Sequence, residues 1–118
     1  MAHRDPSTKP LSPPVLHILL TLAEGAKHGY AIKQDVEARA EGAIRLGPGT
    51  LYEAIARLEE AGLIAESAAA APANGQEAQR RVYQLTERGW TTLRREVRQL
   101  ADLVERARAN PKLRKGLA

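Results

Sequence analysis

The run from Leu46 to Ile64, LGPGTLYEAIARLEEAGLI, constrains this chain most, because both ends of one helix are written into it. Proline fits a first helical turn, where its missing N–H would be unpaired anyway, and glycine readily takes the left-handed conformation that ends a helix. Pro48 therefore opens the element and Gly62 closes it. Leu51, Ile55 and Leu58 fall at i, i+4 and i+7 and bury one face, which turns Thr50, Glu53 and Arg57 to the opposite side. A short helix locked down on one face and showing small polar and charged groups on the other is the shape of a recognition helix. An ordinary amphipathic helix ending in a tight turn fits the same residues, so the neighbouring segments decide.

The chain has 118 residues, within the range of about 100–200 residues expected of a single domain. Hydrophobic residues make up 43% of it, but Phe is absent and aromatics are only 3%, so the core must be built from Leu, Ile, Val and Ala. The absence of Cys excludes a disulfide framework and a thiolate metal site, and fits a reducing, cytoplasmic setting. The longest apolar stretch, Val15 to Ala23, is interrupted by His17 and Thr21 and falls far short of the roughly 20 residues that span a bilayer. The N-terminus lacks the apolar region of a signal peptide.

Along the chain, residues 1–11 mix Pro, Ser and charges without periodicity and are expected to form a disordered arm. Ser12 offers an N-cap and Pro13 and Pro14 a first turn for a helix to about Glu24, apolar nearly all round and so expected to be sandwiched. Residues 25–29 read as a turn, followed by a second helix from about Tyr30 to Ala40 that Gly42 stops. After the third helix, Leu63–Glu66 and Arg80–Leu85 read as two short strands. Between them residues 67–79 hold four consecutive alanines and an Asn74-Gly75 turn signal, long for a hairpin loop of about 2–5 residues. Thr86 caps a fourth helix over residues 86–109, ended by Asn110-Pro111, and residues 110–118 form a basic tail. The fold class expected is mainly α with a small β-hairpin: one domain over 12–85 and a long C-terminal helix.

Charge is unevenly distributed. The net charge is +4, but from Arg80 onward eleven bases face four acids, while residues 1–79 carry seven bases and ten acids. A basic wing strand and a basic long helix suit a polyanionic partner, and an arginine-rich solvated helix face gives the same count.

Helix, helix, helix and hairpin is the order of a winged helix-turn-helix. His28-Gly29-Tyr30-Ala31-Ile32, Gly49-Thr50-Leu51-Tyr52 with Arg57-Leu58-Glu59 and Gly62-Leu63-Ile64, and Arg81-Val82-Tyr83-Gln84-Leu85-Thr86-Glu87-Arg88-Gly89 resemble the motif blocks of the PadR-like transcriptional regulators, over roughly Leu11 to Ala107. The resemblance implies a repressor that binds a palindromic operator as a homodimer and is released by an effector, a small molecule or other signal. This chain departs from the family pattern at Val82, where a second aromatic is common, and in its long alanine-rich wing.

The residues can be read the same way on physical grounds. The unpaired N–H groups at the Gly47-Pro48-Gly49-Thr50 helix entry attract a phosphate, and Gly49 permits close approach. Thr50 can bond a phosphate or a base edge, or simply help cap the helix. Arg57 can reach phosphate or guanine, and Glu53 can accept from a cytosine amine or keep wrong sequences out. Tyr52 is expected to pack its ring and turn its hydroxyl outward. His28 and Tyr30 can anchor a phosphate, or be a turn histidine and a core tyrosine. In the hairpin, Arg81, Tyr83 and Leu85 share one face and Arg80, Val82 and Gln84 the other, which makes Arg80 the freer wing candidate for phosphate or minor groove, while Arg81 sits near the loop where it can reach either.

Trp90, Leu93, Val97, Leu100, Val104 and Ala107 recur at spacings of 3 and 4, a coiled-coil-like stripe. A three-helix core of this size cannot cover it, so dimerisation through this helix is expected, the alternative being a helix packed within its own domain. Trp90 is also a candidate for stacking on a planar effector, set against plain interface filling. Enzyme readings fare poorly: Gly42 to Gly47 has phosphate-loop spacing, but Pro48 stands where the lysine is needed. His3, His17 and His28 make no metal-ligand spacing, and no cofactor is expected. The competing function is a winged-helix protein–protein adaptor without specific DNA binding, favoured by the slightly acidic third helix.

Overall fold

The computed structural model describes residues 10–67 and 81–117. Helix α1 (Pro13–Ala23) begins at Ser12, whose hydroxyl accepts from the Val15 N–H. Strand β1 (Lys27–His28) leads directly into α2 (Gly29–Arg39), and a loop carries the chain to α3 (Pro48–Glu60). Strands β2 (Ile64–Glu66) and β3 (Val82–Leu85) follow, then the 22-residue α4 (Glu87–Arg108) and a single turn of helix, α5 (Pro111–Arg114).

The helix ends follow the capping chemistry. At the end of α3, Gly62 has φ 78°, the Gly62 N–H bonds to the Glu59 carbonyl and the Leu63 N–H to the Leu58 carbonyl, which pairs two otherwise orphaned carbonyls. Helix α2 ends in the same pattern, with the Glu41 N–H on Ala38 and the Gly42 N–H on Glu37. There the left-handed position falls on Glu41 (φ 52°), with Gly42 (φ 81°) behind it. Thr86 caps α4 by accepting from the Gly89 N–H at 3.0 Å, and its hydroxyl donates to the Gly62 carbonyl at 2.6 Å, tying the start of α4 to the end of α3.

The sheet corrects the hairpin reading. It has three antiparallel strands in the order β1-β3-β2, with Lys27 and His28 opposite Tyr83 and Val82, and Ile64, Ala65 and Glu66 opposite Leu85, Gln84 and Tyr83. Residues 27–28, expected in a turn, are an edge strand. β3 is the central strand; Val82, Tyr83 and Leu85 are buried and Gln84 is exposed.

Ile18, Leu19 and Leu22 of α1, Ile32 and Val36 of α2, and Leu51, Ile55 and Leu58 of α3 meet Leu46, Ile64, Tyr83, Leu85 and Leu93 in one core. Helix α1 packs on α2, β3 and α4. It is not enclosed all round, since Leu20 remains 38% exposed. Leu11, assigned to the arm from sequence, packs on the core and donates its N–H to Glu96 Oε1 at 2.9 Å, joining the segment before α1 to α4. The other arm residues up to Lys9, and the wing tip at 68–79, lie outside the described residues.

Candidate nucleic-acid interface

Helix α3 is held by Leu51, Ile55 and Leu58, so its opposite side must face solvent. Gly49, Thr50, Glu53, Ala56, Arg57 and Glu60 are all exposed and share that side. Arg57 Nη2 lies 3.3 Å from Glu53 Oε1, an i,i+4 pair across one turn.

Two anchors fix the approach to α3. Glu37 on α2 accepts the Leu46 N–H at 2.8 Å and the Lys33 ammonium at 3.2 Å. The Leu46 N–H foremost, with Lys33 behind it, holds the Glu37 carboxyl below the ordinary carboxylate range. The loop thus reaches Gly47, the N-cap of α3, from a position pinned to α2. The second anchor is steric: Tyr52 lays its ring against Gly29, the first residue of α2, while remaining 37% exposed.

That contact brings the front of α3 to the N-terminus of α2, beside Tyr30. Tyr30 is 59% exposed, so the core-tyrosine alternative does not hold, and the Lys33 ammonium lies 5.9 Å from its ring centroid. His28 is the N-cap of α2 and exposed, on the strand paired with Val82.

Behind this face a polar cluster joins α1, β1 and α2. The buried Thr21 hydroxyl donates to Asp35 Oδ2 at 2.5 Å, and the Lys27 ammonium reaches Asp35 at 2.5 Å, Thr21 at 3.1 Å and Glu24 at 3.2 Å. Arg39 closes the ring on Glu24. Burial works against the Lys27 charge, but Asp35 and Glu24 outweigh it and raise the Lys27 pKa above its ordinary value. Lys27 and then Thr21 lower Asp35, while Arg39 and then Lys27 lower Glu24. Neither this brace nor the Glu37 anchor was singled out from sequence. The i,i+4 spacing of Lys33 and Glu37 was the available signal for the second, whereas the first is assembled by tertiary packing.

On the wing, Arg81 Nε bonds Glu66 Oε1 at 2.9 Å across β3 and β2, both side chains half exposed. Arg80 lies outside the described residues.

Along α4, Leu93 is buried in the core at 4% exposure, but Trp90, Val97, Leu100 and Val104 are 39, 42, 43 and 46% exposed. Leu103, off the expected stripe, is 57% exposed beside them. Leu20 of α1 joins Trp90, Leu93 and Val97 in lining a groove of about 370 Å3, where Arg94 and Arg98 also contribute. Among the described residues there is no cluster of His, Cys, Asp or Glu suited to a metal ion, and no helix is long and apolar enough to cross a membrane.

Residues 18–95 match the family described as "Transcriptional regulator PadR-like family". Among solved structures, a transcriptional regulator from Clostridium thermocellum is similar at TM-score 0.61 and 27% identity, over 79% of this chain and 84% of that one. RosR from H. salinarum is similar at TM-score 0.61 and 24% identity over 91% of this chain and 86% of that one. A PadR-like transcriptional regulator from Bacillus cereus shares the fold at TM-score 0.62 and 16% identity, over 77% and 84% of the two chains. A 37.1 kDa transposon protein of Streptomyces fradiae is 38% identical over 86 residues, 73% of this chain, which spans only 22% of that relative's length.

Proposed function

This chain belongs to the PadR-like family of transcriptional regulators, and from that premise we propose that it acts as a repressor, binding a palindromic operator as a homodimer and leaving it when an effector arrives. The observation that carries this reading is the pairing of two faces. Helix α3 is buried through Leu51, Ile55 and Leu58 and offers Gly49, Thr50, Glu53 and Arg57 outward, while α4 leaves Val97, Leu100 and Val104 uncovered. The first is a face to lay in a major groove; the second is a seam along which two copies join and thereby offer two such helices to an inverted repeat.

Within this reading Thr50 and Arg57 contact base edges or phosphate, with Tyr52 and Tyr30 flanking them and His28 at the head of α2. Arg80 and Arg81 meet the backbone from the wing. Phosphate contacts by such side chains set register, and base contacts set sequence. Trp90, on the groove shared with Leu20, is the candidate for stacking on an effector. The protein is read as a cytoplasmic non-enzyme working without a cofactor.

The adaptor alternative has one observation in its favour: the exposed side of α3 carries two acids, Glu53 and Glu60, against a single base, Arg57. A gel shift on DNA from upstream of the protein's own coding region decides between the two. A discrete complex that survives excess unrelated duplex, and is lost with Arg57→Ala, supports the repressor; no complex at micromolar protein and low salt supports the adaptor.

A further inference from the structure

The net negative charge of the exposed α3 face needs a physical explanation if that face enters a groove walled by phosphates. Glu53 is 69% exposed and Arg57 78%, and their 3.3 Å contact sets a carboxylate directly beside the one base on this side of the helix. An exposed pair of this kind is weak and opens readily. While it is closed, Arg57 is neutralised and Glu53 repels any phosphate that approaches. A general DNA binder gains nothing from such an arrangement, but a discriminating one does.

A carboxylate only accepts hydrogen bonds. On the floor of the major groove it is satisfied by the cytosine N4 amine and left unpaired against guanine O6 or thymine O4. Adenine also offers an amine, but its N7 acceptor sits beside it and faces the same carboxylate. Arg57, once released, has the donor fork that suits guanine O6 and N7. A C·G pair presents both edges within the short span that separates the two side chains.

We propose that Glu53 is the specificity-determining residue of α3: it holds Arg57 closed on non-cognate DNA and releases it where a cytosine amine replaces Arg57 as the donor to the Glu53 carboxylate, freeing Arg57 for guanine. This rests on the DNA-reading role proposed above and adds a residue, a base and a direction of selection.

In the test, duplexes are selected from a random pool by the wild-type protein and by Glu53→Gln, and the affinity of each protein for an unselected duplex is measured beside them. The expected result is a wild-type motif with a fixed cytosine in each half-site. In Glu53→Gln that column relaxes or shifts to adenine, and the unselected duplex binds about fivefold tighter or more. Thermal unfolding of the variant matches the wild type, which separates reading from folding. Identical motifs, or a uniform weakening on every duplex, overturn the role of Glu53 while leaving DNA reading intact. A wild-type protein that enriches no motif overturns the DNA-reading role and this inference with it.

Discussion

The ring of Tyr52 on α3 lies so close over Gly29 at the head of α2 that a Cβ on Gly29 would stand 3.1 Å from Tyr52 Cε1 and 3.3 Å from the hydroxyl oxygen. Glycine is favoured here by space rather than by backbone conformation. This contact is one of those that join the two helices of the helix-turn-helix, together with the Glu37 bond to the Leu46 N–H. Gly29→Ala meets a half-exposed ring that can swing aside, and the expected outcome is a thermal midpoint within about 5 °C of wild type. The Tyr52 resonances shift and DNA binding falls severalfold. Unfolding curves, NMR and a binding titration on one preparation check all three.

Gly89 makes a harsher contact. A Cβ there would stand 2.1 Å from the Leu63 carbonyl oxygen, which already accepts the Thr86 N–H at 3.1 Å. Backbone cannot turn aside as a tyrosine ring can. Gly89→Ala is expected to lose about 3 kcal/mol or more in urea unfolding, because α4 must shift off the end of α3.

The ion pairs behind the helix-turn-helix make a pH-dependent contribution to stability. Asp35, Glu24 and Glu37 all have lowered pKa values, by their bonds to Lys27, Arg39 and the Leu46 N–H respectively. Their contribution is complete above the ordinary carboxylate values near 4 and is lost as pH falls through the lower folded ones. Lys27 is shifted upward, so its contribution is complete below 10.5 and lost as pH rises past its folded value. Thermal melts should therefore fall off below about pH 4. Asp35→Asn should lower the neutral-pH midpoint and shrink the acid-side fall.

Thr50 and Arg57 stand clear of the core, so alanine at either should leave the unfolding midpoint nearly unchanged. If each reads a base, affinity for the selected operator drops by about 1–3 kcal/mol per substitution. Arg81 differs, because its bond to Glu66 must be exchanged for one to phosphate; Arg81→Gln should reduce the salt dependence more than the sequence preference.

Much of this fold is legible in the sequence where a local device specifies it. Ser12 with Pro13, Pro48, Gly62 and Thr86 each mark a helix end that the structure places within a residue or two, because capping is settled by neighbours in the chain. What escaped depends on distant partners. Lys27 and His28 become a strand only because Tyr83 and Val82 lie beside them, and that same pairing places β3 in the centre of the sheet. Glu96, read as one of the acids of a basic helix, is buried and bound by the Leu11 N–H from 85 residues away. On the candidate site, the outward face of α3 follows from the leucine and isoleucine spacing alone. The Glu37 anchor and the Gly29–Tyr52 contact arise only once α2 and α3 are packed.

The stoichiometry of the DNA complex decides whether two α3 helices act together on one site. Sedimentation of the protein with a duplex carrying two half-sites, beside one carrying a single half-site, should give two protomers on the first and much weaker binding to the second. Leu100→Glu, which places a charge among the exposed apolar residues Val97 and Val104 of α4, should sediment as a monomer and lose the preference for the paired site. A monomeric wild type binding one protomer per half-site with equal affinity on both duplexes would contradict a dimer that presents two α3 helices to an inverted repeat.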